Sequence, residues 1–287
     1  MTEALDGRPE LPWVGRHDLR GYPLERDPEP GSLPTSFTWP SLPVRAWAAT
    51  RDTLQPWTQV VGKVRLAHSP LLNHWWNVPL YVTGRGLTTS LMWSSDGRGF
   101  QIDFDFVSHQ LDITVSDGSR RSVALTPRSV ADFYAEVVDC LSQLDIAPEI
   151  WTMPVEIEGA IPFEEDVEHR TYDREHVEQF WQLLIGSAQV FNQFRTRFVG
   201  KSSPVHLFWG GLDLATTRFS GRSAPPHSGG APHCGPHVME EAYSQEVSSF
   251  GYWPGGLGEG FFYSYAYPGP EGYRSTTGTG RAAVARR

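Results

Sequence analysis

The stretch HLFWGGLDLATTRFSGR, His206 to Arg222, carries a histidine, an aspartate and two arginines among apolar and β-branched residues. Read as a strand from Leu212 to Phe219, it places Leu212, Leu214, Thr216 and Arg218 on one face. Asp213, Ala215, Thr217 and Phe219 take the other. An arginine sharing a face with two leucines is expected to be partly buried, where it needs a carboxylate or a bound anion. Glu156, in MPVEIE, and Asp213 are the internal candidates for a structural ion pair. If neither serves, Arg218 or Arg222 marks an anion-binding site, with His206 beside them.

Three further constellations could do chemistry. His227, His233, Cys234 and His237 lie in the Pro/Gly-rich run RSAPPHSGGAPHCGPHVME, and all four can ligate zinc or related metals. A divalent metal is the cofactor such a loop would hold, serving a hydrolase with Asp103, Asp105 or Glu246. No HExxH or CxxC accompanies it, and the plainer reading is a surface loop or a lid over a cleft. Asp103 and Asp105 in QIDFDFV stand on one strand face, roughly 7 Å apart. They could hold a cation or raise one pKa, or could be the solvated face of an antiparallel sheet. Gly62-Lys63 and Gly200-Lys201 are not phosphate loops, since neither sits in GxxxxGK[ST] before a helix. GxSxG is missing, and Cys234 has no evident base, so no nucleophile motif stands out.

Composition bounds the classes. The chain has 287 residues, 39% hydrophobic and 20% charged, as befits a globular protein of one large domain or two small ones. With 11 Trp, 10 Tyr and 15 Phe, it is rich enough in aromatics to wall a pocket. A net charge of −9 and no basic stripe argue against nucleic acid. Two unpaired-looking cysteines, no signal-like leader and no run approaching a membrane span predict a soluble cytoplasmic protein. Nothing in the pattern sets the oligomeric state.

These groups must be positioned by elements that the periodicity outlines. Residues 1–37 are Pro-, Gly- and charge-rich and read as a disordered arm, and 272–287 as a disordered tail. Between them, 38–271 reads as a single α+β domain, with a long loop at 222–240. A helix is expected over VRAWAATRDTLQPWT, ending near Pro56, and then a strand over VVGKVRLA. Further strands follow at VPLYVTG, GLTTSLMW, GFQIDFDFV, and LDITVSDG with RSVALT around the Asp117-Gly118 turn. A helix begins behind Thr126-Pro127, IWTMPVEIE reads as a strand, and a long helix runs from about Asp173 to Phe198. EVSSFGYW and FFYSYAY close the set. The expected fold is α+β: a largely antiparallel sheet of eight to ten strands with two or three helices on one face.

An internal echo joins the two halves. Helix, VGK, an Asn-His-Trp-Trp corner and LYVTGRG in 44–87 parallel helix, VGK, His-Leu-Phe-Trp and LATTRFSGR in 176–222. It pairs Lys63 with Lys201 and His74 with His206, although the Lys-to-His spacings differ.

The motifs GKVRLAHSPLLNHWWNVPLYVTGRGLTTS, IDFDFVSH, SVADFY, FRTRFVGKSSPVHLFWGGLDLATTRFSGR, EAYSQEVSSFGYWPGG and FYSYAYP resemble one bacterial family of unknown function, that numbered 5996. The likeness covers about residues 39–273. It implies a single α+β unit and brings no reaction, cofactor or catalytic residue with it. The residues themselves favour a binder or enzyme for a small, anionic molecule in an aromatic-lined cleft. His206, Asp213, Arg218 and Arg222 would orient it, with Lys63 and His74 joining if the halves face each other. A metal-dependent hydrolase and a protein-interaction scaffold are the alternatives.

Overall fold

The first helix is longer than the sequence pattern predicts. In the computed structural model, which describes residues 37–272, α1 spans Val44–Ala67, running through Pro56 and taking in the expected strand VVGKVRLA. Every residue from Pro56 to Arg65 is buried. A helix enclosed on all sides has no polar face, so the 3.6-residue period that separates helix from strand disappears. Proline in a helix interior forfeits a backbone hydrogen bond. Packing carries the helix past it: Trp57 stacks on Phe133 at 4.4 Å and on Tyr172 at 5.5 Å. Gly62 is there for a close approach, since a Cβ would lie 2.3 Å from the Trp209 indole.

Among the described residues ten strands follow, all paired antiparallel, in two sheets. The first contains β1 (Tyr81–Val82), β2 (Gly86–Thr88), β3 (Met92–Trp93), β4 (Gly99–Asp105), β5 (Gln110–Val115) and β6 (Arg120–Ala124). Its order is β1-β2-β4-β5-β6, with β3 pairing β4. The second contains β7 (His206–Phe208), β8 (Asp213–Ser223), β9 (Gln245–Trp253) and β10 (Phe261–Tyr267), in the order β10-β9-β8-β7. The edges of the two sheets meet. Leu80 and Leu207 form an antiparallel bridge with N···O distances of 3.0 and 2.9 Å, next to β1 and in β7. The expected broad antiparallel sheet is thus two sheets joined at one bridge.

The helices α2 (Val130–Ser142) and α3 (Arg174–Arg195) start where side-chain caps can form. The Ser129 hydroxyl accepts from Asp132 N, and the Asp173 carboxylate accepts from His176 N. The α2 cap is therefore Ser129 rather than Thr126. Phe100, Ile102, Phe104 and Phe106 are all buried, with Leu111, Ile113 and Val123 from β5 and β6 in the same core. Each such fully buried side chain stabilises by about 1.5–3 kcal/mol. A fourth helix, α4 (Pro236–Ala242), lies in the segment read as loop 222–240, and β8 extends into that segment as far as Ser223. No helix among the described residues is long and apolar enough to cross a membrane.

IWTMPVEIE forms no strand. Its backbone groups bond instead to polar side chains of the buried helix. Gln59 donates to Val155 O and accepts from Val155 N, both at 2.8 Å, and Lys63 Nζ donates to Trp151 O at 2.7 Å and Met153 O at 2.6 Å. Two α1 side chains thus do the work of a neighbouring strand.

The described residues from Thr38 onward form one compact unit. The arm expected over 1–37 and the tail expected over 272–287 lie outside the described residues, except for Phe37 and Gly272. Both halves run from a long helix into an antiparallel meander. The residues that the sequence echo pairs nevertheless differ in setting. Lys63 is inside α1 and Lys201 follows α3, while His74 sits in a tight turn and His206 in a strand.

Candidate functional site

The last turn of α1 and the corner after it place the first polar groups. Arg65 is 7% exposed, and its Nε donates to Asn77 O at 2.8 Å. Asn77 Oδ1 accepts from Leu72 N, which closes the corner around the 3-10 turn Asn73–Trp75. Within it, His74 and Trp75 have φ of 56° and 59°. Two successive non-glycine residues in the left-handed region cost about 1–2 kcal/mol each and must be held by their surroundings. The holding groups come from α4: the Glu241 carboxylate accepts from His74 N at 2.6 Å, and the Trp75 indole donates to Val238 O at 2.9 Å.

His206 stands where the sheets meet, fully buried among Tyr81, Phe208 and Trp76, with ring centroids at 5.5, 5.4 and 6.0 Å. Burial, reinforced by the charges of Arg65 and Arg195, holds its pKa down at about 3, so the imidazole is neutral at pH 7. The Arg65 guanidinium lies 5.2 Å from the Tyr81 ring centroid, and burial lowers its pKa as well. Arg195, in the last turn of α3, gives Nη1 to Asn192 at 3.1 Å. Four buried atoms of this group have no hydrogen-bond partner: Arg65 Nη1, Arg195 Nε and both ring nitrogens of His206. Among the described residues, no carboxylate pairs with Arg65 or Arg195. Unpaired buried polar atoms cost about 1–3 kcal/mol each, so a cluster of them calls for an explanation. Three donor-bearing groups, two of them cationic, suit an oxyanion.

Trp76 connects this cluster to a second one. Its ring is 5.8 Å from that of His74, and Lys201 Nζ lies 5.5 Å from the Trp76 centroid and 4.6 Å from that of Phe219. Lys201 Nζ donates to His74 Nε2 at 2.7 Å and to Gln245 Oε1 at 3.2 Å. That fixes the tautomer, since His74 Nδ1 then carries the hydrogen and faces Glu241 O at 3.2 Å. Burial lowers the His74 pKa, and the Lys201 charge lowers it further.

Of the residues expected to form a site, the structure brings together His74 and His206. The others lie apart from them. Lys63 is buried beneath Trp151 and Phe163, at 4.8 and 5.5 Å, with its pKa pushed down to about 8 by burial. Asp213 accepts from the Tyr263 hydroxyl. Arg222, mostly exposed, pairs with Glu246 at 2.5 Å.

Arg218 has one buried nitrogen, Nε, without a hydrogen-bond partner. It stacks 3.5 Å from the Phe194 centroid and 5.1 Å from that of Phe198, and its Nη2 donates to Phe194 O at 2.6 Å. The charge is answered by aromatic faces and by the carbonyl end of α3, where the helix dipole is negative.

The potential metal ligands are not gathered. His227 stacks on Tyr243 at 4.4 Å, His233 is exposed, and His237 lies edge-on to Trp75. Asp103 accepts from Gln101, and Asp105 accepts from Arg85, Val107 N and Ser108 N. Among the described residues no group of three or more His, Cys, Asp or Glu side chains could hold a metal. The aromatic walls are present around His206, but they close over it. Two surface depressions, of about 470 and 360 Å³, lie elsewhere: against α2, and between α3 and Phe106.

Arg65, Tyr81, Trp76 and Arg195 escaped the sequence reading because they lie on separate elements, each unremarkable alone. One signal was available. The sequence holds only two lysines, Lys63 and Lys201, in a chain otherwise supplied with arginine, and both are drawn out of solvent.

No curated protein and no solved structure matches the chain. A family model does, over residues 39–285, which is most of the sequence and includes every residue of both clusters. The chain belongs to that family, a family of unknown function (DUF5996).

Proposed function

We propose that this protein binds a small oxyanion, of the carboxylate or phosphate class, between Arg65, Arg195 and His206. The observation that carries the reading is the group of buried nitrogens without partners on Arg65, Arg195 and the neutral His206, with no carboxylate among the described residues paired to either arginine. Arg65 Nη1, Arg195 Nε and one ring N–H of His206 would supply the donors. Trp76, Tyr81 and Phe208 would exclude water from them and so strengthen each contact. Entry would be by displacement of the connection after α3, where Val199 is fully exposed. Two free cysteines fit a reducing, cytoplasmic setting for such a binder.

The experiment is thermal unfolding with rising inorganic phosphate, sulfate or acetate, against chloride at matched ionic strength. A ligand that binds the folded state stabilises it by RT ln(1 + [L]/Kd). Saturable stabilisation by an oxyanion is expected, lost in Arg65→Met and kept in Arg218→Met. Equal effects of all salts, or an unchanged response in Arg65→Met, would overturn the reading.

A further inference from the structure

The two lysines of this chain are placed for opposite ends. Lys63 is buried, and its ammonium donates to two backbone carbonyls, which cannot take a proton. Lys201 is half-buried, and its nearest partner is an imidazole nitrogen, which can. A second acceptor, Gln245 Oε1, holds the amine in place, and the faces of Trp76 and Phe219 flank it. Burial also favours the neutral amine over the ammonium, against the opposing charge of Glu241. Arginine could supply the charge but never the nucleophile, because guanidinium does not deprotonate in proteins.

We propose that Lys201 is a carbonyl-reactive amine, which condenses with an aldehyde or ketone that also bears a carboxylate or phosphate. This rests on the oxyanion reading of Arg65, Arg195 and His206. The link between the two is Trp76, whose ring centroid is 6.0 Å from that of His206 and 5.5 Å from Lys201 Nζ. His74 Nε2 takes a proton from the Lys201 ammonium and frees the amine. The nitrogen then adds to the carbonyl carbon, forming the C–N bond. The imidazolium returns its proton to the carbinolamine oxygen, a second nitrogen-bound proton follows, and water leaves. The product is an iminium that keeps the single positive charge, and no oxidant or reductant enters.

The test is reductive trapping on the full chain. 6-Oxohexanoate, an anionic aldehyde whose extended chain can reach past the indole, and hexanal, its neutral counterpart, are each incubated with the protein and cyanoborohydride. Peptide mapping then reads the adduct at the only amines available: the α-amine, Lys63 and Lys201. The expected result is label at Lys201 with Lys63 untouched. The 6-oxohexanoate-to-hexanal ratio at Lys201 should exceed that at the α-amine by about tenfold, the scale of one charged hydrogen bond. Arg65→Met should bring that ratio down to the α-amine's while leaving Lys201 labelled. His74→Gln, which keeps an acceptor but cannot carry the proton, should slow labelling by both aldehydes. An unlabelled Lys201, or equal ratios at Lys201 and the α-amine, would overturn the proposal. If Lys201 stays unlabelled while phosphate still stabilises the protein, the imine step fails and the oxyanion site stands.

Discussion

Replacing His206 with leucine separates the electrostatics of the buried cluster from its packing. His206 titrates near 3 in the folded protein, whereas an unfolded histidine titrates at about 6.5. Because its folded pKa is depressed, the unfolded chain binds the proton more tightly. Stability is therefore lost as pH falls below about 6.5, and the loss grows until about pH 3. Between pH 7.5 and pH 5 this one residue is expected to cost the wild type about 2 kcal/mol. His74, whose pKa is also lowered, adds a loss of the same sign. In His206→Leu the 2 kcal/mol disappears and the His74 share remains. At pH 7.5 the variant should be no less stable than wild type, because it removes two buried nitrogens without partners. Urea unfolding followed by tryptophan fluorescence, at both pH values and without multivalent anions, reads these quantities. The reasoning is refuted if the wild type is equally stable at pH 5 and pH 7.5, or if the variant shows the same acid loss.

Further expectations follow from individual contacts. Arg218→Met should lower the unfolding free energy by about 2–3 kcal/mol, for lost cation–π stacking and one charged hydrogen bond, without changing the phosphate response. Gly62→Ala should cost about 1–3 kcal/mol by chemical denaturation, because the new methyl would collide with the Trp209 indole. Lys63→Met should leave two carbonyls unbonded, costing about 2–4 kcal/mol and accelerating amide exchange over residues 150–163 more than elsewhere.

The strands were the most legible part of the fold, because antiparallel pairing with one buried face writes itself as alternation. GFQIDFDFV, the Asp117-Gly118 hairpin and FFYSYAY all pair as the pattern implies. The second half of α1 was not legible, since a helix buried all round carries no amphipathic signal and Pro56 points to a stop. IWTMPVEIE has the composition of a strand, yet Gln59 and Lys63 satisfy its backbone, through contacts made 88 to 96 residues apart in sequence.

Of the candidate site, part was legible in the sequence. His74 and His206 could be singled out because the internal echo pairs them. Arg218, the most conspicuous arginine by pattern, has its charge met by phenylalanines and a helix end. Unmatched donors occur on Arg218 Nε, but also on Arg65, which reads as an ordinary residue after VGK, and on Arg195, which reads as an ordinary helix end. Unpaired donors are a property of three-dimensional neighbours, and no local spacing encodes them.

The oxyanion site itself is tested most directly by the imidazole nitrogens of His206. In a long-range 1H–15N spectrum at pH 7, with the signals assigned by their loss in His206→Leu, the ring should be neutral, with one protonated nitrogen. Inorganic phosphate should shift those signals saturably in the wild type and leave them still in Arg65→Met. Signals that ignore phosphate, or that move equally in both proteins, would contradict the account.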